Sequence, residues 1–416
     1  MPLALLITLL AAPGAPAPPP QIHLAVVGPG DPVWSLYGHA AMVVKRPKQR
    51  LNKAEVFNFG ITDWNRPNYV RDFLTGRVEF WGATAPFKKN LARWKREDRD
   101  ILLYPVQLDP GARRRLVARM RRDVTEDHKH YVYDTFRDNC STRIRDYLDT
   151  FSGGAVYGAI ATESTGRSYR DDVRVAYSGW VGLQLLTELV PGISLDAERT
   201  SWELAYRPVF LGDALKPVML ADGRALLGDP LVLNRRTGPS PIGGWPHGAQ
   251  AVIGGAAAVL LLGAWLIGGC GARLRGIVLA MWVGGSTFLG VLLLVVAFGT
   301  DWPDMKENWL ALAFIPLDAL LIWTAGRLVL ARRNAGGWAR GWIGLRAGTT
   351  LVLVLATLVG ATDGPVVPRL LALAGLILAA RCLGEREVEE VPELRPSLLR
   401  TLPDGPPPIP ATPRVS

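Results

Sequence analysis

Hydrophobic and polar positions follow two different patterns in the two halves of this 416-residue chain. Before about residue 245, short apolar or alternating runs are separated by Gly, Pro, Asn and Asp, which is typical of strands and turns. These runs predict strands over residues 22–27, 40–45, 56–59, 77–81 and 101–108, the second starting at or just after His39. Helical spacing predicts helices over residues 68–74 and 88–97, from Asp109-Pro110 onward, and over residues 141–151. We therefore expect an α+β domain over residues 18–245.

The second half consists mainly of long apolar stretches, at about residues 250–270, 277–299, 309–331, 346–362 and 366–382. A membrane-spanning helix needs about 20 such residues, so the pattern predicts an α-helical domain of five spans over residues 250–383. Arginines follow the first and third stretches: Arg273, Arg275, Arg332, Arg333, Arg340 and Arg346. The positive-inside rule then places residues 18–249 outside the cell and the C-terminus in the cytoplasm. Residues 384–416, rich in Pro, Glu and Arg, predict a disordered cytoplasmic tail.

The first 17 residues have the features of a secretory signal peptide. Their apolar run, residues 3–12, is too short to span a bilayer, and Ala15-Pro16-Ala17 resembles a cleavage site. No Lys or Arg precedes the run, so either the signal is atypical or the true start lies elsewhere. A cleaved signal gives the same orientation as the arginine pattern.

The formal net charge of +10 does not indicate a nucleic-acid partner, because many basic residues flank the apolar stretches, where they set topology. The others cluster at residues 45–50, 88–95 and 113–122. The last cluster lies on a predicted amphipathic helix. We favour a solvated basic face there, and contact with anionic lipid headgroups is the alternative.

Cys140 is the strongest candidate for chemistry. Cys270 and Cys382 fall at predicted cytoplasmic ends, so Cys140 is alone in the exported domain, where an unused thiol is a hazard. A free cysteine is often just a small buried side chain. However, the polar neighbours of Cys140 in Asp138-Asn139-Cys140-Ser141-Thr142 indicate an exposed helix start. A helix N-terminus favours the thiolate, so we expect a lowered thiol pKa and backbone N–H groups that stabilise an oxyanion.

A thiol nucleophile needs a base, and His39 is the best of five histidines because Gly38 allows close backbone approach. The others are expected to be structural or solvated: His23, His128, His130 and His247. Asn58 is our choice to hold the imidazole, with Asp63 as the alternative, and Asn58 is equally readable as an ordinary strand-end residue. No residues have metal-ligand spacing, so no cofactor is expected.

These residues together carry a resemblance to a known family. The chain resembles the Lnb-type lipoprotein N-acyltransferases, whose N-terminal periplasmic domain is similar to the circularly permuted branch of the NlpC-type papain-like superfamily. The resemblance covers about residues 22–218, and its matching stretches are Tyr37-Gly38-His39-Ala40-Ala41, Val56-Phe57-Asn58-Phe59-Gly60, residues 131–142, and residues 196–208 with Thr200, Trp202 and Glu203.

The resemblance implies acyl transfer at a bacterial inner membrane, with the domain in the periplasm. A phospholipid would donate an acyl chain to Cys140, and the thioester would pass to an amine, the N-terminus of a lipoprotein. His39 and Asn58 would assist, and Tyr37, Asn139 and Ser141 would contact substrate. Three alternatives stay open: a cell-wall peptidase or amidase with the same dyad, a phospholipid hydrolase, and a non-catalytic membrane binding protein.

Overall fold

The computed structural model describes residues 18–330 and 337–384. The predicted signal peptide, Arg332, Arg333 and the tail from residue 385 lie outside the described residues. The described part has a mixed α/β domain with an antiparallel sheet, followed by five long apolar helices. This architecture confirms the predicted fold class, an α+β domain joined to a multi-span helical domain.

One seven-stranded antiparallel sheet organises the first domain, in the order β6-β4-β3-β2-β1-β5-β9. Its strands are β1 (Gln21–Val27), β2 (His39–Lys45), β3 (Glu55–Ile61), β4 (Glu79–Pro86), β5 (Ile101–Pro105), β6 (His130–Val132) and β9 (Leu231–Asn234). A separate pair is formed by β7 (Ser164–Ser168) and β8 (Glu198–Thr200).

Nine helices accompany these strands in the described part of the domain: α1 (Tyr69–Leu74), α2 (Phe87–Arg96), α3 (Pro110–Asp123), α4 (Cys140–Ser152), α5 (Ala155–Ile160), α6 (Tyr169–Ala176), α7 (Val181–Leu189), α8 (Ser201–Leu204) and α9 (Pro208–Ala214). Alternation along the strands creates two cores, because successive side chains point to opposite faces. Ala40 and Met42 of β2 pack on the face that carries α3 and α4, whereas Ala41 and Val43 pack on the face that carries Trp94 of α2.

Most predicted elements are present, with shifted ends. β4 starts two residues later than expected, because the chain first turns at Gly76, whose φ is +74°, and the Arg77 N–H donates to the carbonyl of Asp72. β5 ends at Pro105, earlier than predicted, and Val106 then makes only an isolated bridge with Leu227.

Among the described residues, five spans are long and apolar enough to cross a membrane: Gly248–Ile267 (α10), Ala272–Gly299 (α11), Pro303–Val329, Gly337–Leu358 (α14) and Val366–Leu383 (α15). The third is broken into short pieces that include α12 (Leu310–Ala313) and α13 (Leu321–Val329). The fourth begins nine residues before the predicted start at 346. Arg340 and Arg346 therefore lie within α14, and our assignment of both to the preceding loop was wrong.

Arg346 can lie inside the helical bundle because its charge is paired. It is 2% exposed and hydrogen-bonds Asp318, itself 1% exposed, with Nε 3.1 Å from Oδ1. Its guanidinium also donates to the carbonyls of Leu312 and Ala313, where the break in the third span interrupts helical hydrogen bonding. A buried ion pair and unsatisfied backbone groups thus stabilise each other.

Candidate functional site

Cys140 is the first residue of α4, and the residue before it caps that helix. The Asn139 Oδ1 accepts hydrogen bonds from the N–H groups of Ser141 and Thr142, at 2.8 and 3.0 Å. The Asn139 Nδ2 donates to the carbonyls of Thr135 and Tyr206, at 2.7 and 3.0 Å. An Asn N-cap stabilises the start of a helix, so this residue fixes the backbone on which the thiol stands. Both the oxygen and the nitrogen of the Asn139 side chain are therefore hydrogen-bonded within the protein.

His39 and Asn58 lie on adjacent strands and are joined by a hydrogen bond, with 3.0 Å between Nε2 and Oδ1. The register places Asn58 opposite Ala41, two residues from His39, so both side chains occupy the same sheet face. An amide oxygen only accepts, so this contact selects the tautomer with the proton on Nε2 and leaves Nδ1 as the basic nitrogen. The alternative partner, Asp63, is exposed in a turn and accepts from the Asn65 N–H at 2.9 Å.

A cavity of about 700 Å³ is lined by all three candidates, His39, Asn58 and Cys140, and no hydrogen bond joins the sulfur directly to the imidazole. The backbone N–H of Ala40, the residue after His39, acts to lower the pKa of the Cys140 thiol. Gly60, with φ of +82°, brings the end of β3 beside the start of α4: a Cβ there would be in ordinary contact with the Cys140 Cβ, at 3.8 Å. Thiol and imidazole therefore open into one space, from a helix start and from a strand start.

Burial keeps both groups neutral at neutral pH. It lowers the pKa of His39 to about 4, against the opposing effect of the Asn58 hydrogen bond. Burial also raises the pKa of Cys140 above its ordinary value, although the Ala40 N–H and the hydroxyl and N–H of Ser141 act to lower it. Our expectation of a lowered thiol pKa was wrong, because the desolvation cost of the thiolate exceeds what the helix start contributes.

The helix start has fewer free donors than the sequence suggested, because Asn139 already occupies the N–H groups of Ser141 and Thr142. The Cys140 N–H has no acceptor among the residues that the structure describes. This N–H belongs to the same residue as the sulfur and is free to donate. An acyl carbonyl bonded to that sulfur would therefore find one backbone donor at the helix N-terminus.

Two further predicted residues differ in their access to the cavity. Tyr37 lines it and packs against the rings of Tyr177 and Tyr206, with centroids 6.2 and 5.7 Å apart. Ser141 is completely buried and does not line the cavity, and its hydroxyl oxygen has no hydrogen-bond partner among the described residues. Of the five histidines, all within the described residues, only His39 lines the cavity. The described residues contain no group of three His, Cys, Asp or Glu that could hold a metal ion.

Arg99 was missed by our sequence analysis. It is 3% exposed and lines the cavity; its Nε donates to the Gly28 carbonyl at 2.8 Å, and its Nη1 lies 3.3 Å from Glu97. Its charge lowers the pKa of both His39 and Cys140. Nothing in the sequence distinguishes Arg99 from the exposed basic residues of α2, because only the folded chain places it at the cavity.

A comparison with protein families matches the part of the chain that carries these residues. Residues 17–178, which contain His39, Asn58 and Cys140, match the model of the Lnb N-terminal periplasmic domain. No curated protein and no solved structure matches the chain. Residues 17–178 are thus similar to the Lnb N-terminal periplasmic domain, and the described part of the chain continues with five helices long enough to span a membrane.

Proposed function

We propose that this protein is a membrane-anchored thiol acyltransferase of the bacterial inner membrane. It would move an acyl chain from a phospholipid to Cys140 and then to an amine, the N-terminus of a lipoprotein. The observation that carries the proposal is the cavity shared by Cys140, at the start of α4, and the His39–Asn58 pair. The Lnb domain and the apolar helices support a lipid substrate.

In the first step the thiol proton moves to Nδ1 of His39 as the sulfur attacks the ester carbonyl. Because thiol and imidazole are both neutral beforehand, proton transfer accompanies attack. The C–S bond forms, the ester C–O bond breaks, and the proton passes from His39 to the departing lysophospholipid. Asn58 keeps the ring oriented throughout by holding its Nε2–H. Thiol–imidazole contacts commonly tighten only when substrate binds.

In the second step an amine attacks the thioester. His39 accepts a proton from the amine nitrogen and returns one to the sulfur, so the C–N bond forms as the C–S bond breaks. The N–H of Cys140 stabilises the oxyanion of both tetrahedral intermediates. Because the domain is anchored to the bilayer that holds both substrates, the thiol stays close to them and does not have to find them by free diffusion.

The closest rival is a phospholipid hydrolase, in which water rather than an amine resolves the thioester. Purified full-length protein in nanodiscs, given acyl-labelled phospholipid and a diacylated lipopeptide, separates the two. We expect N-acylated lipopeptide with the wild type and none with Cys140→Ala. Free fatty acid alone would support the hydrolase. Cleavage of peptidoglycan fragments instead would support the peptidase, and no reaction with any substrate would support a binding protein.

A further inference from the structure

Helix α1 buries none of its residues and exposes an apolar surface to solvent. Val70 and Leu74 are 68% and 65% exposed, and Phe73 is 43% exposed. Trp64 and Trp34 continue this surface, with their ring centroids 5.5 Å apart. We call these five residues the aromatic ridge. A contiguous exposed apolar patch of this kind marks an interaction site more often than chance.

The aromatic ridge is attached to the end of a membrane span. Helix α11 ends at Gly299, and the next residues bind α1 directly. The Asp301 N–H donates to the Thr75 carbonyl at 2.8 Å, and the Trp302 Nε1 donates to the Phe73 carbonyl at 2.7 Å. Gly76 permits this approach, since a Cβ there would lie 2.8 Å from the Trp302 nitrogen. The ridge thus lies where the apolar span ends, at the expected level of the membrane interface.

From that level the ridge continues into the cavity. Trp34, Trp64 and Phe73 line the same cavity as His39 and Cys140. Tyr69 joins them, with its ring centroid 5.1 Å from that of Trp64. Exposed aromatic side chains therefore connect the end of α11 with the cavity that the thiol lines.

We propose that the aromatic ridge is the entry path for the hydrocarbon chain of a phospholipid from the adjoining leaflet. The inference rests on the proposed function, because it gives the donor's acyl chain its route to Cys140. A lipid chain fits better than a protein partner, since the ridge begins beside a membrane span and ends in the cavity. Moving along the ridge would keep apolar carbon out of water between bilayer and thiol.

Photo-crosslinking tests the path without requiring catalysis. Full-length Cys140→Ala protein is placed in nanodiscs that contain a phosphatidylcholine with a diazirine in one acyl chain. After irradiation, digestion and mass spectrometry, we expect adducts within residues 64–75 as well as on the membrane helices. Adducts confined to the membrane helices α10 to α15 would overturn the proposal.

A second measurement compares two acyl donors. In Val70→Asp/Leu74→Asp, both changes are on exposed side chains, so the fold should persist. We expect the ratio of Cys140 acylation rates, long-chain phosphatidylcholine over a water-soluble butyryl thioester, to fall at least tenfold. Met219→Asp, also an exposed apolar side chain but away from the cavity lining, should keep the wild-type ratio. An unchanged ratio in the double variant would overturn the entry path. Failure of the wild type to react with either donor would instead refute the proposed function.

Discussion

Arg137 and Asp304 join the segment before Cys140 to the membrane half of the chain, although they lie 167 positions apart in the sequence. The Arg137 Nη1 donates to Asp304 Oδ2 at 2.6 Å, and Nη2 donates to Oδ1 at 2.9 Å. Ser194 also donates to Asp304, and the Asp304 carbonyl accepts from the Gly192 N–H. The loop after α11 thus holds the backbone leading into α4, so the membrane helices support the site as well as anchor it.

The Asp304→Ala variant should lose both stability and activity. Its carboxylate is 5% exposed, so removal leaves Ser194 without its acceptor and Arg137 with only the 3.3 Å contact to Asp134. We expect a loss of about 2 kcal/mol, below the value for a fully buried pair because Arg137 is half-exposed. Thermal unfolding in detergent and the rate of Cys140 acylation measure the two effects. Asp301→Ala is the matched control: its pair with Arg77 is exposed on both sides, so its loss should change the unfolding temperature far less than Asp304→Ala does. If the two variants lost stability and acylation rate to the same extent, the difference between a buried and an exposed ion pair would be contradicted.

Asn58→Ala should reduce Cys140 acylation by about 10²-fold while the fold is kept, because the imidazole loses the acceptor that fixes its tautomer and orientation. Acylation is followed with labelled phospholipid, and folding by thermal unfolding. Asp63→Ala should react like the wild type, since that carboxylate bonds only its own turn. If Asp63→Ala were the slower variant, the assignment of the third residue would be reversed.

The neutral pair predicts a particular pH dependence of alkylation. Iodoacetamide reacts with the thiolate, and burial raises the pKa of Cys140 from its ordinary 9.0. The rate at Cys140, measured by peptide mass spectrometry, should therefore be low at pH 6 to 8 and still rise above pH 9. His39, with a pKa near 4, stays neutral over this range. A high rate that is flat from pH 5 to 8 would mean a thiolate–imidazolium pair and would contradict the account.

Asp318 and Arg346, paired inside the helical bundle, should stabilise the protein only when both are present. Asp318→Leu leaves a buried guanidinium without its counter-charge, which costs about 3–5 kcal/mol when both partners are buried. The double variant Asp318→Leu/Arg346→Met removes both charges and should recover part of the loss, although the carbonyls of Leu312 and Ala313 lose their donors. Thermal unfolding in detergent checks both variants. A double variant less stable than Asp318→Leu would show that the backbone contacts of Arg346 matter more than its charge.

Local patterns were enough to predict the centre of the candidate site. Period-two alternation in β2 and β3 places His39 and Asn58 on one face, and the polar residues around Cys140 identify a helix start. The choice between Asn58 and Asp63 needed the structure, because it depends on the hairpin register. The thiol pKa also needed it, since burial by residues distant in sequence decides the direction of the shift.

Long-range contacts account for what the sequence did not predict. Strand β9 reaches the sheet after more than a hundred intervening residues, and no local pattern specifies that pairing. Arg346 looks like a topology marker until its contact with Asp318 is known. Arg137 and Asp304 likewise have no signal in sequence, because each is an ordinary polar residue of a loop.

Mass analysis of Cys140 after exposure to phospholipid tests the central claim most directly. Wild-type protein in nanodiscs should gain one acyl mass on the peptide that contains residue 140, and hydroxylamine should remove it. The His39→Ala variant should gain it far more slowly, and Cys140→Ala should gain none. Acyl mass on any other residue, or persistence of the label in Cys140→Ala, would contradict the account.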